Sequence, residues 1–317
     1  MSKQTRGDRT AMEHVKRVSL IGLGAIGAAV ASKIFDSDPE RVNVIVDQER
    51  MRRYQTEGVV VNGKNYPFSY VTPESETEPA DLILVAVKHD ALQQAIRDIR
   101  RHVGTDTVIL SLMNGIASEE LIGAVYGDDR MLYAMSVAID AVRSGREIRF
   151  SNIGRICFGE ANNAVPSNKV KRVAQFFNEV NVPYEIPENM LRAMWWKFMI
   201  NVGINQTSAV LKAPYGVFQS IPEAYEAMRS AMYEVIRLSD KTGIHLNDQD
   251  FETFDGILRQ LSPEGKTSML QDIEAGRKTE VEYMAGTVCE LGRKHGVETP
   301  INQMLLQMIR TLEQMNS

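Results

Sequence analysis

The segment Gly22-Leu23-Gly24-Ala25-Ile26-Gly27 restricts the folds open to this chain more than any other stretch. Residues 17–21 before it form a short β-rich run, and 25–35 after it read as a helix of small and aliphatic side chains. Residues 42–46 are a second β-rich run that ends at Asp47. Strand, glycine turn, helix and strand in that order make the βαβ unit of a doubly wound parallel sheet. Each glycine has a separate task. One permits the tight turn, one lets backbone N–H groups approach a pyrophosphate, and one lets helix and strand pack closely. The helix N-terminus then turns its aligned N–H dipoles toward the phosphates. A G-x-G-x-x-G pattern alone matches many loops; behind a strand and ahead of a helix it predicts a dinucleotide site over Gly22 to Gly27.

Asp47 lies twenty residues beyond Gly27, where the adenosine ribose is read. A carboxylate there accepts hydrogen bonds from the ribose hydroxyls of NAD and repels the 2′-phosphate of NADP. Asp is also common at strand ends for purely local reasons. Arg50, Arg52 and Arg53 follow closely enough to neutralise a 2′-phosphate.

The alternation continues downstream. Residues 81–87 are almost wholly apolar, as befits a strand covered on both faces. A helical stretch over 91–101 and a strand over 107–112 follow, broken at Asn114-Gly115. Asn62-Gly63 inside 58–70 predicts a hairpin. After Arg130, residues 131–138, 147–150 and 154–158 read as short antiparallel strands, 169–178 as a helix and 183–186 as a last strand. From 187 onward the chain is helical, with breaks at Pro214, Pro222, Gly243, Pro263 and Pro300. The expected fold is α/β: an N-terminal Rossmann-type doubly wound sheet over 15–187, then an all-α domain over 188–317. Residues 1–14, polar and without an apolar core, read as a flexible leader rather than a signal peptide.

Composition narrows the setting. A net charge of −5 with interspersed signs argues against nucleic acid or an anionic membrane as partner. No apolar run nears the ~20 residues that span a bilayer. The two cysteines, Cys157 and Cys289, lie in apolar stretches without a CxxC spacing, which suggests a reducing compartment, buried thiols and no metal site. A cytoplasmic protein is expected.

The helical half carries the second informative segment. Met194 to Asn205 is apolar or small except for Lys197, Asn201 and Asn205, which are spaced i, i+4 and i+8 on one face. A stripe of one amine and two amides on a buried helix needs polar partners or a function. Lysine snorkelling to solvent and backbone-satisfied asparagines would be the ordinary alternative. In a ketone reductase, an ammonium at that place polarises the carbonyl and protonates the developing alkoxide. A second polar row contains Ser268, Asp272 and Glu280; twelve residues separate its ends, so either Gly276 bends the helix or Ser268 lies in the preceding loop.

With these residues in order (the glycine turn, Val87-Lys88, Asn114-Gly115, the Lys197/Asn201/Asn205 face, and Ser268 through Glu280), the chain from Val15 onward resembles the ketopantoate reductases. The resemblance implies Lys197 as general acid and Glu280 as the group orienting the substrate oxygen. It implies Asn201, Asn205, Ser268 and Asn114 as substrate contacts, and Lys88 and Asn114 on the nicotinamide side. The implied reaction is reduction of 2-dehydropantoate to (R)-pantoate with NADPH, in pantothenate and coenzyme A biosynthesis. Asp47 stands where that family usually carries arginine, which brings NADH into range. A related 2-oxo or 3-hydroxy acid dehydrogenase and a non-catalytic dinucleotide sensor are the competing expectations. Trp195, Trp196 and the Met-rich C-terminal helices would serve a core or a homodimer interface equally well.

Overall fold

The computed structural model describes residues 14–315, so the leader expected over 1–14 lies, but for its last residue, outside the described residues. Among the described residues twelve strands occur in chain order: β1 (Val18–Ile21), β2 (Val42–Ile45), β3 (Val60–Val61), β4 (Lys64–Asn65), β5 (Ser69–Val71) and β6 (Ala80–Val85). They continue with β7 (Val103–Ser111), β8 (Met131–Val137), β9 (Val142–Ser144), β10 (Glu147–Arg149), β11 (Arg155–Gly159) and β12 (Tyr184–Glu185). Eight form one sheet in the order β12-β11-β8-β7-β6-β1-β2-β5. The ladders from β8 to β5 are all parallel; β11 lies antiparallel to β8, and β12 closes that end parallel to β11.

Burial explains why these strands are apolar throughout. Leu20, Val44, Leu82, Leu84 and Leu110 enter one core cluster; their neighbours Ile21, Ile45, Ile83, Val85 and Ile109 enter another. Successive side chains point to opposite faces, and helices cover both. Ala28, Val30, Ala31 and Ile34 of the Ala25–Ser37 helix seal the first face; Leu92, Ala95 and Ile96 of the Leu92–Asp98 helix seal the second. This is the doubly wound sheet that the sequence predicts.

One local expectation holds in part and another needs correction. The expected antiparallel arrangement is present between 131–138 and 154–158, which pair as β8 and β11, while the Ser118–Tyr126 helix provides a crossover that returns β8 parallel to β7. The 147–150 segment leaves the main sheet. A turn at Gly145, with φ at 58°, folds β10 antiparallel onto β9, and β10 also pairs parallel with β3. The result is a separate four-stranded sheet, β4-β3-β10-β9. Its β3–β4 hairpin is the one expected at Asn62-Gly63, where φ is 49° and 81°, as a primed turn requires.

The chain divides into two compact units. One holds the residues up to Met113 and Glu119–Glu188; the other holds Asn114–Ser118 and everything from Asn189 onward. The second unit is helical and has its own core, built from residues such as Phe198, Met199, Phe218, Met228, Met232, Phe254 and Val288. No helix among the described residues is long and apolar enough to cross a membrane.

Candidate functional site

In the first unit, β1 ends at Ile21 and the chain turns at Gly22, whose φ is 100°. A side chain there would be strained, and its Cβ would stand 2.4 Å from the Ala86 carbonyl oxygen. A Cβ at Gly27 would lie 2.0 Å from the Gly22 carbonyl oxygen, so the third glycine is what lets the helix meet the turn. At Gly24 the nearest atom to a Cβ is 4.0 Å away, leaving that side of the turn open. Gly24 is the N-cap of the Ala25–Ser37 helix; no side chain caps it, and its first turn holds no acid. Uncapped N–H donors beside an open glycine suit a pyrophosphate, so the residues present fit a dinucleotide.

Asp47 follows β2 and caps the Gln48–Glu57 helix, its Oδ1 accepting from the Arg50 N–H at 2.7 Å. Arg50 Nε stands 3.5 Å from Asp47 Oδ2. The Arg53 guanidinium lies over the Tyr54 ring at 5.2 Å. Arg50 is thus engaged with Asp47 itself, and Arg53 with an aromatic face. Sequence reasoning missed Arg143. From β9 it donates to the Leu23 carbonyl in the glycine turn and lies 5.7 Å from the Tyr54 ring centroid. Nothing in the sequence signals this, because the contact joins residues 120 positions apart across two sheets. Tyr70, stacked obliquely on Tyr54, is pushed up to about 12 by burial. Lys88 is exposed three residues beyond β6 and precedes the short helix His89–Ala91.

The second unit gathers the other candidates. The Met190–Ile200 helix starts at Asn189, whose side chain accepts from the Arg192 N–H at 2.9 Å. Its apolar residues enter the helical core, and Lys197 is left half-buried. Lys197 Nζ donates to Asn114 Oδ1 at 3.1 Å, and Asn114 Nδ2 donates to Glu280 Oε2 at 3.0 Å. Asn114 therefore bridges an ammonium and a carboxylate that lie far apart in sequence. Asn201 and Asn205 form a neighbouring pair, with Asn205 Nδ2 at 3.5 Å from Asn201 Oδ1.

The helix bearing them is not α-helical throughout. Residues Asn201–Asn205 form a π turn. Two four-residue steps on a straight α-helix drift about 80° around the axis, and a wider π turn takes back part of that drift. Gly203 lies so close to the Pro222–Lys241 helix that a Cβ would come within 2.3 Å of Met232 Cγ. The Val202 and Gly203 carbonyls are taken by the side chains of Gln206 at 2.6 Å and Thr207 at 2.8 Å. The second polar row is interrupted too. The Ser268–Glu274 helix ends before Gly276, where φ is 63°, and Glu280 opens the separate turn Val281–Tyr283. Asp272 pairs with Arg277 at 2.7 Å. Ser268 is exposed on the first helical turn, behind the buried N-cap Thr267. Cys157 and Cys289 are free thiols, Cys157 buried and Cys289 half-buried, and burial raises both.

Comparison with known proteins supplies the deciding observation. Residues 18–163 match the family described as Ketopantoate reductase PanE/ApbA, and residues 189–313 match Ketopantoate reductase PanE/ApbA C terminal. The chain belongs to the ketopantoate reductase family. It is an NAD(P)-dependent oxidoreductase acting on CH–OH. The 2-dehydropantoate 2-reductase of Aquifex aeolicus is 24% identical over 95% of this chain and 98% of its own length. Among solved structures, a D-mandelate dehydrogenase in complex with NADH is similar at TM-score 0.85 and 20% identity, over 95% of this chain and all of that one. A dimeric ketopantoate reductase from Staphylococcus aureus is similar at TM-score 0.77 and 22% identity, over 95% and 100%.

Proposed function

We propose that this ketopantoate reductase family member reduces the keto group of 2-dehydropantoate to (R)-pantoate, in pantothenate and coenzyme A biosynthesis. The observation that supports it most is the Lys197–Asn114–Glu280 chain, an ammonium and a carboxylate joined through one amide. In this reading the first unit binds the dinucleotide through Gly22 to Gly27, Asp47 and Lys88, and the second carries the chemistry. When bound, the dihydronicotinamide supplies the hydride. Lys197 polarises the substrate carbonyl and gives a proton to the alkoxide as it forms. Asn114 Oδ1 fixes the direction of the Lys197 amine, and Asn114 also serves the nicotinamide side. Glu280, held by Asn114 Nδ2, orients the substrate oxygen. Asn201, Asn205 and Ser268 bind the remaining polar groups of the substrate, its carboxylate included. A homodimer is the proposed working form, supported by the dimeric relative from Staphylococcus aureus.

The second reading keeps the chemistry and changes the oxo acid, favoured by the likeness to a D-mandelate dehydrogenase. Steady-state turnover on 2-dehydropantoate, 2-oxoisovalerate and benzoylformate separates the two. Ketopantoate is expected to give the highest kcat/KM; a clear win for another acid transfers the assignment to it. Lys197→Ala is expected to lower kcat on the best substrate by more than ~10²-fold, the scale of a lost general acid. A near-normal rate in that variant would remove Lys197 from the role.

A further inference from the structure

Gln206 stands directly after the π turn and is fully buried. Its amide serves three elements at once. Nε2 donates to the Val202 carbonyl at 2.6 Å and to Asn302 Oδ1 at 3.1 Å, and Oε1 accepts from the Ala285 N–H at 3.0 Å. Val202 lies inside the π turn, between Asn201 and Asn205. Ala285 is the first residue of the Ala285–His295 helix, whose N-cap Met284 supplies no side-chain cap, so Gln206 satisfies a donor that the helix leaves open. Glu280 lies five residues before Ala285, at the start of the turn that leads into this helix.

Asn302 is itself anchored. Its Nδ2 donates to Glu234 Oε2 at 2.7 Å, and the two Glu234 oxygens accept the N–H groups of Ile301 at 2.8 Å and Asn302 at 2.9 Å. Glu234 is 1% exposed and Asn302 wholly buried. In such surroundings a satisfied polar network admits little displacement, since any shift strands a buried donor or acceptor.

Lys197 and Glu280 reach Asn114 from segments remote in sequence, and the spacing of those segments decides whether one amide can touch both. Gln206 ties them directly, through Val202 on one side and Ala285 on the other. We propose that Gln206 is a positioning residue of the reductase site, setting the spacing between the helix that bears Lys197, Asn201 and Asn205 and the turn that bears Glu280. The inference rests on the roles given above to Lys197 and Glu280.

The test compares wild type, Gln206→Met, Gln206→Glu and Lys197→Ala. Gln206→Met keeps the length and loses both donors and the acceptor. Its kcat/KM for the best oxo acid is expected to fall roughly 10- to 100-fold, the scale of a small misplacement of reacting groups. Its dinucleotide affinity, measured by fluorescence titration, is expected to stay at the wild-type value. Gln206→Glu separates positioning from bulk stability. Its carboxylate still accepts from Ala285 but has no proton for Val202 or Asn302. Burial raises the pKa of such a carboxyl, and protonation returns one donor. The deficit in kcat/KM relative to wild type is therefore expected to be largest at alkaline pH and to narrow as pH falls. A pH-independent deficit overturns the proposal. So does a Gln206→Met enzyme that melts earlier yet turns over at the wild-type kcat/KM. Should Gln206→Met fail to fold, the pH profile of Gln206→Glu decides. A fully active Lys197→Ala removes the site assignment itself, whereas an inactive Lys197→Ala beside an unaffected Gln206→Met removes only the role of Gln206.

Discussion

Asp47 has two carboxylate oxygens and two competing uses. Oδ1 is committed to the Arg50 N–H as a helix cap, while Oδ2 faces Arg50 Nε at 3.5 Å in a side chain left 55% exposed. A carboxylate so placed still accepts from ribose hydroxyls and gives a 2′-phosphate no attraction. NADH is therefore expected to be at least a usable cofactor. Asp47→Arg is expected to raise the ratio of kcat/KM for NADPH over NADH by roughly 10- to 100-fold. That corresponds to one charge-assisted hydrogen bond gained, about 1.5–3 kcal/mol. The cap is lost in the same variant at about 1 kcal/mol, so its melting temperature should be read alongside. A wild-type enzyme that strongly prefers NADPH would contradict this and turn attention to the cations nearby, Arg143 first. Asp47 was legible in the sequence because a strand end lies a fixed distance from the glycine turn. Arg143 was not, because only tertiary folding brings β9 to that turn.

At the scale of elements, legibility follows the range of the forces. The Asn62-Gly63 hairpin and the β1–helix–β2 unit are set by turn chemistry and short-range periodicity, and both appear as expected. The partners of β8 and β10 depend on long-range pairing that a short apolar run does not encode. The π turn at Asn201–Asn205 was equally hidden: its residues read as α-helix, and it is held by Gln206, Thr207 and the approach of Met232. Gly203 makes that dependence measurable. An alanine recovers up to about 1 kcal/mol of helix propensity. Its Cβ would also fall 3.1 Å from the Met228 carbonyl oxygen and within 2.3 Å of Met232 Cγ, and overpacking of this kind costs about 1–3 kcal/mol. Gly203→Ala is expected to be destabilised on balance by ~1 kcal/mol in urea unfolding, with a raised KM for the oxo acid. A variant as stable as wild type with unchanged KM would show that the π turn tolerates a wider spacing from its neighbour.

For the whole molecule, the two units carry separate cores, and the candidate residues divide with them. The glycine turn and Asp47 belong to the first; Asn114, Lys197 and Glu280 belong to the second, even though Asn114 lies only three residues beyond the end of β7. Binding and chemistry should then be separable by substitution. A dinucleotide at 100 times its Kd stabilises the state that binds it by about 2.7 kcal/mol, which appears as a rise in melting temperature of several degrees. Lys197→Ala is expected to keep that rise while losing turnover, since its side chain is not needed to hold the phosphates. Gly27→Ala is expected to lose the rise, because its Cβ would meet the Gly22 carbonyl oxygen at 2.0 Å and force the turn away from the helix N-terminus. Thermal unfolding of both variants with and without saturating NADH and NADPH checks the pair. If Lys197→Ala loses the shift as completely as Gly27→Ala, cofactor binding depends on the helical unit, and the division of labour between the two units must be redrawn.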